Sequence, residues 1–173
     1  MALVINRSYL QASSGNLATD LARYGSSAVW RGVYYRGEKI GFTVSQTVPE
    51  GDGFQLMEDG RLQMALLGAT TAATIRTNAH VDANFTLRAF EFSLDPGTGA
   101  VEVRGKLDGR TLTLDVKTKS GTRSEERVLD EPPALSLNLS RRLANGGLVA
   151  GARHQWTIFD PATLRNSPPS APT

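Results

Sequence analysis

Catalysis near neutral pH most often draws on a histidine, a thiolate or a pair of carboxylates, and this sequence is poor in the first two. It has two histidines, His80 and His154, and no cysteine. A nucleophilic serine would need one of those imidazoles as its base, and no Gly-x-Ser-x-Gly elbow is present to hold one. Without a thiol, the chain has no cysteine nucleophile, disulfide framework, Cys-ligated zinc or iron–sulfur cluster. Neither His-x-x-x-His nor His-Glu-x-x-His spacing occurs, so no metal site is expected. The strings Glu50-Gly51-Asp52-Gly53 and Gly97-Thr98-Gly99 lack the spacing of a phosphate-binding loop. The sequence predicts no catalytic residue, no metal ligand and no cofactor, and the chain reads as a non-enzyme.

Carboxylates alone suffice for glycosidase-type acid–base work. Asp52, Asp59, Asp95 and Asp108 fall mostly at turn-like positions, where aspartate serves the backbone. Glu58 differs, because it shares the phase of Leu56 and Leu62 on what reads as one strand. A bulge at Gly60 would rotate Glu58 to solvent. If it stays inward it needs a partner, and Arg31 has the matching phase, which makes Arg31 and Glu58 a candidate buried ion pair. His80 alternates with Ala79 and Val81 and is expected to face solvent.

Aromatic residues are the one concentration that suggests binding. Trp30, Tyr34 and Tyr35 cluster on the first strand, Phe90 and Phe92 on a later one, and Trp156 and Phe159 near the end. Core packing explains such a set. A binding reading takes Trp30, Tyr34, Phe90, Phe92 and Trp156 as the walls of an apolar groove for a lipid or hydrophobic peptide, and an exposed aromatic platform at Trp30 or Tyr34 would suit a glycan.

These residues must be positioned mainly by strands. After a helix stop at Gly25, the sequence to about residue 129 alternates with period two between turn signals. A Gly37-Glu38 turn sets Val33 against Phe42 and Arg31 against Val44. Asp59-Gly60 fails as a turn because it mixes faces, so residues 54–67 read as one strand with a bend or bulge at Gly60. A Gly68-Ala69 turn then sets Leu62 against Ile75. The loop Pro96-Gly97-Thr98-Gly99 sets Leu94 against Val101 and Phe92 against Val103, and an Asp108-Gly109 turn sets Val103 against Leu114. A phase slip between Leu87 and Phe90 calls for a bulge near Arg88-Ala89. The mixed-sign run Arg123-Ser124-Glu125-Glu126-Arg127 suits a solvated edge that resists further pairing.

The expected fold is all-β: a curled antiparallel meander of about eight or more strands, half-barrel or barrel-like. A short helix is expected near each end, over Ser13–Tyr24 with Leu17, Leu21 and Tyr24 on one stripe, and over residues 138–145. Leu137, Leu139 and Leu143 would plug the apolar face, with Arg141 and Arg142 in water. Residues 1–12 form an N-terminal extension, either an ordinary terminus or the remnant of a removed signal or anchor. Residues 13–165 form a single β-meander domain, with a final strand over His154–Phe159. Residues 166–173, rich in Pro and Ser, are expected to be a disordered tail. No apolar stretch approaches the length that crosses a bilayer as a helix. The 173 residues carry 19 Lys+Arg against 17 Asp+Glu, and so small an excess does not argue for nucleic acid.

Several strings resemble a bacterial family. Trp30-Arg31-Gly32-Val33-Tyr34-Tyr35-Arg36-Gly37-Glu38-Lys39-Ile40-Gly41-Phe42 is similar to the opening hairpin of certain exported proteins. Residues 82–92, 103–112 and Phe159-Asp160-Pro161-Ala162-Thr163-Leu164 are similar to their later strings. In that family a β-rich domain of unknown role lies outside the cytoplasmic membrane and often precedes a transglutaminase-like domain. The resemblance covers roughly residues 28–165 and implies a periplasmic or extracytoplasmic location, tethered to the inner membrane through the N-terminus of the full-length protein. The Cys-His-Asp set of a transglutaminase-like domain is not in this cysteine-free chain. Family members commonly continue with more strands past the Asp-Pro string, so the chain reads as a fragment, an expressed domain or a truncated homologue.

Together these features lead to the expectation of a non-catalytic envelope module that binds or braces other domains of a longer chain or an envelope partner. The alternative is a periplasmic carrier or chaperone holding a lipid or hydrophobic peptide against its concave face.

Overall fold

Eight strands follow one another along the chain and lie in that same order in one antiparallel sheet. They are β1 (Val29–Tyr35), β2 (Glu38–Glu50), β3 (Gly53–Leu66), β4 (Ala69–Val81), β5 (Leu87–Asp95), β6 (Val101–Asp108), β7 (Thr111–Thr118) and β8 (Gly121–Val128). The computed structural model describes residues 28–66, 69–137, 158–162 and 164–167 of the chain. Two short strands, β9 (Ile158–Asp160) and β10 (Arg165–Ser167), pair with each other. Asn166 and Ser167, expected in the tail, belong to that hairpin. The two expected helices, with Leu139 and Leu143, lie outside the described residues.

The meander is open. β1 and β8 are its two edges and do not pair with each other, so the barrel-like version of the expected fold gives way to an open sheet, with no further strand on either edge among the described residues.

Alternation makes one face apolar. In β6, Val103, Gly105 and Leu107 are buried while Arg104, Lys106 and Asp108 are exposed, and in β7 Leu112, Leu114 and Val116 are buried. The same face takes Leu56 from β3, Ala79 and Val81 from β4, and Leu87, Phe90 and Phe92 from β5. Each large side chain removed from water here contributes about 1.5–3 kcal/mol. Among the described residues, Leu135 and Phe159 complete this core from above the sheet, with Leu129, Leu137 and Leu164 packed against it. The Phe159 N–H donates to the Ala134 carbonyl at 2.9 Å, and Ala134 forms a parallel bridge to Ile158. Leu137 thus sits where the plug was expected.

The long strand through Asp59-Gly60 is continuous, and Leu94 faces Val101 and Phe92 faces Val103 as the loop predicts. The bulge near Arg88 is present: Val81 pairs with Leu87 and His80 with Ala89, leaving Arg88 as the extra residue. Asp82 holds the loop before it. Its Oδ1 accepts the N–H groups of Asn84 and Thr86, both at 2.9 Å, and its Oδ2 accepts Arg88 Nη2 at 2.8 Å. Phe85 adopts a φ of 58° there and stacks on Phe54 at 4.7 Å between ring centroids.

Three turns differ from expectation. The first hairpin turns at Arg36-Gly37, with φ of 51° and 83°, the signature of a type I′ turn, and the register shifts between Val33 and Tyr34. Phe42 therefore faces Gly32 rather than Val33, and Val44 faces Trp30 rather than Arg31. The β6–β7 turn is Gly109-Arg110, with Gly109 at φ 57°, so Val103 faces Val116 and Gly105 faces Leu114. Leu66 pairs with Ala69, which sets Leu62 against Ala73 and Gly60 against Ile75. Gly60 also pairs with Thr43, and neither ladder shifts register there, so the expected bulge at Gly60 is absent.

Candidate functional site

The five residues predicted to wall one apolar groove do not share a face. Phe90 and Phe92 lie on the apolar face and are 1% and 6% exposed, within the core. Trp30 pairs with Val44, and Val44 with Asp59, which puts Trp30 on the opposite face of the sheet. Tyr34 shares that face, and its ring lies over Gly32. Trp156 lies outside the described residues. The groove reading is corrected accordingly: Trp30 instead meets Phe42, with ring centroids 5.5 Å apart and a 37° tilt, in a small second cluster above buried Val44. That tilt also departs from the coplanar platform a glycan would favour. A hairpin register that differs by one residue sends every side chain to the other face, which is why sequence pattern alone misplaced this set.

Glu58 does stay inward. Without a bulge at Gly60 it keeps the phase of Leu56, directly between Ser45 of β2 and Thr77 of β4, both of which are 8% exposed. Arg31 lies at the same end of this face and donates from Nη1 to Ser45 Oγ at 3.2 Å. Glu58 is half-buried and Arg31 exposed, so the expected buried ion pair becomes a partly covered carboxylate in the field of an exposed guanidinium. Burial pushes the Glu58 carboxyl above its ordinary value, and the charge of Arg31 offsets part of that rise.

The sign of the resulting pH dependence follows from linkage. A carboxyl with a raised folded pKa contributes stability below its unfolded value of about 4.3, and that contribution is lost as pH rises through the folded value. Glu58→Gln should therefore raise the urea midpoint at pH 7 and leave it nearly unchanged at pH 4. A midpoint that falls at pH 7 would mean that the charged form is needed. Asp82 works in the other direction. Burial raises its pKa, but the N–H groups of Thr86 and Asn84 and the nearby Arg88 outweigh this and hold it below the usual range. Its stabilisation is present above about pH 4 and disappears as pH falls through the lower folded value, so the two carboxyls act in separate windows.

The opposite, polar face carries cross-strand ion pairs between directly facing residues. Arg76 meets Asp59 at 2.9 Å, Arg104 meets Glu91 at 3.2 Å and Lys117 meets Glu102 at 3.4 Å. Ser124 adds a hydrogen bond to Asp115 across β7–β8. Such exposed pairs contribute little each but fix register. Two hollows of about 260 and 300 Å³ lie among these side chains, sharing Asp59, Arg76 and Ser93. Asn78 Oδ1 is buried beside the second without a hydrogen-bond partner. Sequence reasoning missed this ladder, because oppositely charged residues become partners only once the register is known.

His80 projects from this polar face, with Nδ1 at 2.6 Å from Glu50 Oε2 on exposed surface. No group of three or more His, Cys, Asp or Glu that would hold a metal occurs among the described residues. No helix among them is long and apolar enough to cross a membrane. The fold defines an all-β, open antiparallel meander with one covered apolar face and one charged face. No protein-family model, curated protein or solved structure matches the chain.

Proposed function

We propose that this chain is a non-catalytic, extracytoplasmic binding or structural module of a bacterial envelope protein, accessory to a transglutaminase-like domain. One observation carries the reading: the apolar face of the sheet is occupied by the chain's own Leu135 and Phe159. A carrier needs that face open to its ligand, whereas a bracing module needs it filled and rigid. The charged ladder on the other face and the sheet edges then supply the surfaces for neighbouring domains. The location and the transglutaminase-like partner rest on the hairpin strings at residues 30–42, 82–92, 103–112 and 159–164.

Native mass spectrometry of protein extracted mildly from its host is expected to give the mass of the chain alone. Stoichiometric bound lipid would overturn the reading in favour of the hydrophobic carrier. An alkaline phosphatase fusion to the native reading frame should be active, as export requires, and an inactive fusion would overturn the location. Hydrolysis of a peptide or glycan that disappears in His154→Ala would overturn the non-catalytic assignment.

A further inference from the structure

The two edges of the sheet are built differently. β8 carries Arg123, Glu125, Glu126 and Arg127 in eight residues. Glu125 and Arg127 face the same side as Leu114 and Leu112, are ion-paired to each other, and Arg127 Nη1 also donates to the Leu164 carbonyl at 2.7 Å. A strand arriving at β8 would have to bury these charges, which is how natural sheets block edge pairing. β1 is guarded far more weakly, by Arg31 alone on that side. Its sequence, Val-Trp-Arg-Gly-Val-Tyr-Tyr, holds one charge and leaves Val29, Tyr34 and Tyr35 exposed by 44%, 65% and 60%.

We propose that β1 pairs antiparallel with β1 of a second copy of the chain, about a twofold axis through Gly32. The strand is self-complementary around that residue. Val29 then faces Tyr35 of the other copy, Trp30 faces Tyr34, Arg31 faces Val33, and Gly32 faces its own equivalent. Aromatic and β-branched pairs directly opposite one another favour pairing. The twofold axis keeps the apolar faces of both sheets on one side and the Trp30–Tyr34 pairs on the other. Centring on Arg31 would oppose two like charges, and centring on Val33 would place Gly32 against Tyr34 and Trp30 against Arg36. The Gly32 register alone opposes aromatic with aromatic and separates the two arginines.

A seven-residue edge gives an interface at the small end of the specific range, so a weak, concentration-dependent monomer–dimer equilibrium is expected by sedimentation equilibrium. The absence of cysteine makes the register directly testable. Opposed residues of an antiparallel pair have Cα atoms about 4.5–5.5 Å apart, within disulfide reach. Gly32→Cys should therefore cross-link to a covalent dimer under mild oxidation, whereas Val128→Cys, on the exposed end of β8, should not. The nearest atoms to a Cβ added at Gly32 belong to the exposed ring of Tyr34 and the end of Lys39, both of which can swing aside. A second pair of variants avoids that position. Val33→Glu, placed opposite Arg31 of the other copy, should tighten the dimer about fivefold, and Val33→Lys should loosen it comparably. A protein that sediments as a monomer on the order of 100 µM overturns the proposal, whether residues 1–27 or another strand covers β1. Equal cross-linking of Gly32→Cys and Val128→Cys, or equal shifts from Val33→Glu and Val33→Lys, overturns it as well.

Discussion

Replacing Phe90 with alanine should lower stability by about 3–5 kcal/mol, a large part of the ~5–15 kcal/mol that holds a domain of this size together. The ring is 1% exposed and sits between two walls. One is Gly105, directly opposite on β6, where an added Cβ would lie 2.1 Å from Phe90 Cε1 and 2.5 Å from Cζ. The other is Phe159, with ring centroids 5.5 Å apart and a 50° tilt. The aromatic ring covers the gap that a glycine leaves in a strand, and the glycine in turn gives the ring room. Gly105→Ala should thus cost about 1–3 kcal/mol by overpacking in the wild-type background. With Phe90 already cut to alanine, the same change should cost little or even stabilise. Urea midpoints of the two single variants and the double variant measure this coupling. Additive effects would mean that the ring does not rest on Gly105.

Phe159→Ala should have a comparable effect, about 3–5 kcal/mol, and a more informative consequence. Phe159 joins the segment above the sheet to Phe90, and its N–H ties that segment to Ala134. Removing the ring uncovers the aromatic and aliphatic side chains of β5–β7. The variant should therefore bind a hydrophobic dye under native conditions, as the wild type should not. The amide of residue 159 should also lose hydrogen-exchange protection ahead of those in β6 and β7. A midpoint shift under about 1 kcal/mol with unchanged dye binding would mean that the segment rests loosely on the sheet. The apolar face would then be open to a ligand, and the carrier reading would gain ground over the bracing one.

Three features were legible in the sequence because each is a matter of phase. Hydrophobic alternation marked the eight consecutive strands. The mixing of faces excluded a turn at Asp59-Gly60, and the slip between Leu87 and Phe90 located the bulge that leaves Arg88 as the extra residue. The inward phase of Glu58 was legible in the same way. The assumed bulge at Gly60, which would have turned it out, has no counterpart in either ladder.

Alternation determines which residues share a face within a strand, but it does not choose between registers that differ by two residues. Val103 is equally well placed opposite Leu114 or Val116, and only the turn, with Gly109 at φ 57°, chose the second. At the first hairpin, turning at Arg36-Gly37 instead of Gly37-Glu38 changes the pairing by two residues, and the bulge that leaves Ile40 unpaired takes one back, so the net shift over most of the ladder is odd. It sent Trp30 and Tyr34 to the face opposite Phe90 and Phe92. The residue types of one strand thus settled its period, whereas partners and faces between strands were decided by turn dihedrals and by contacts far apart in the chain. The core formed by Phe90, Gly105 and Phe159 is of that second kind: its three residues meet only because the meander and the segment above it fold together.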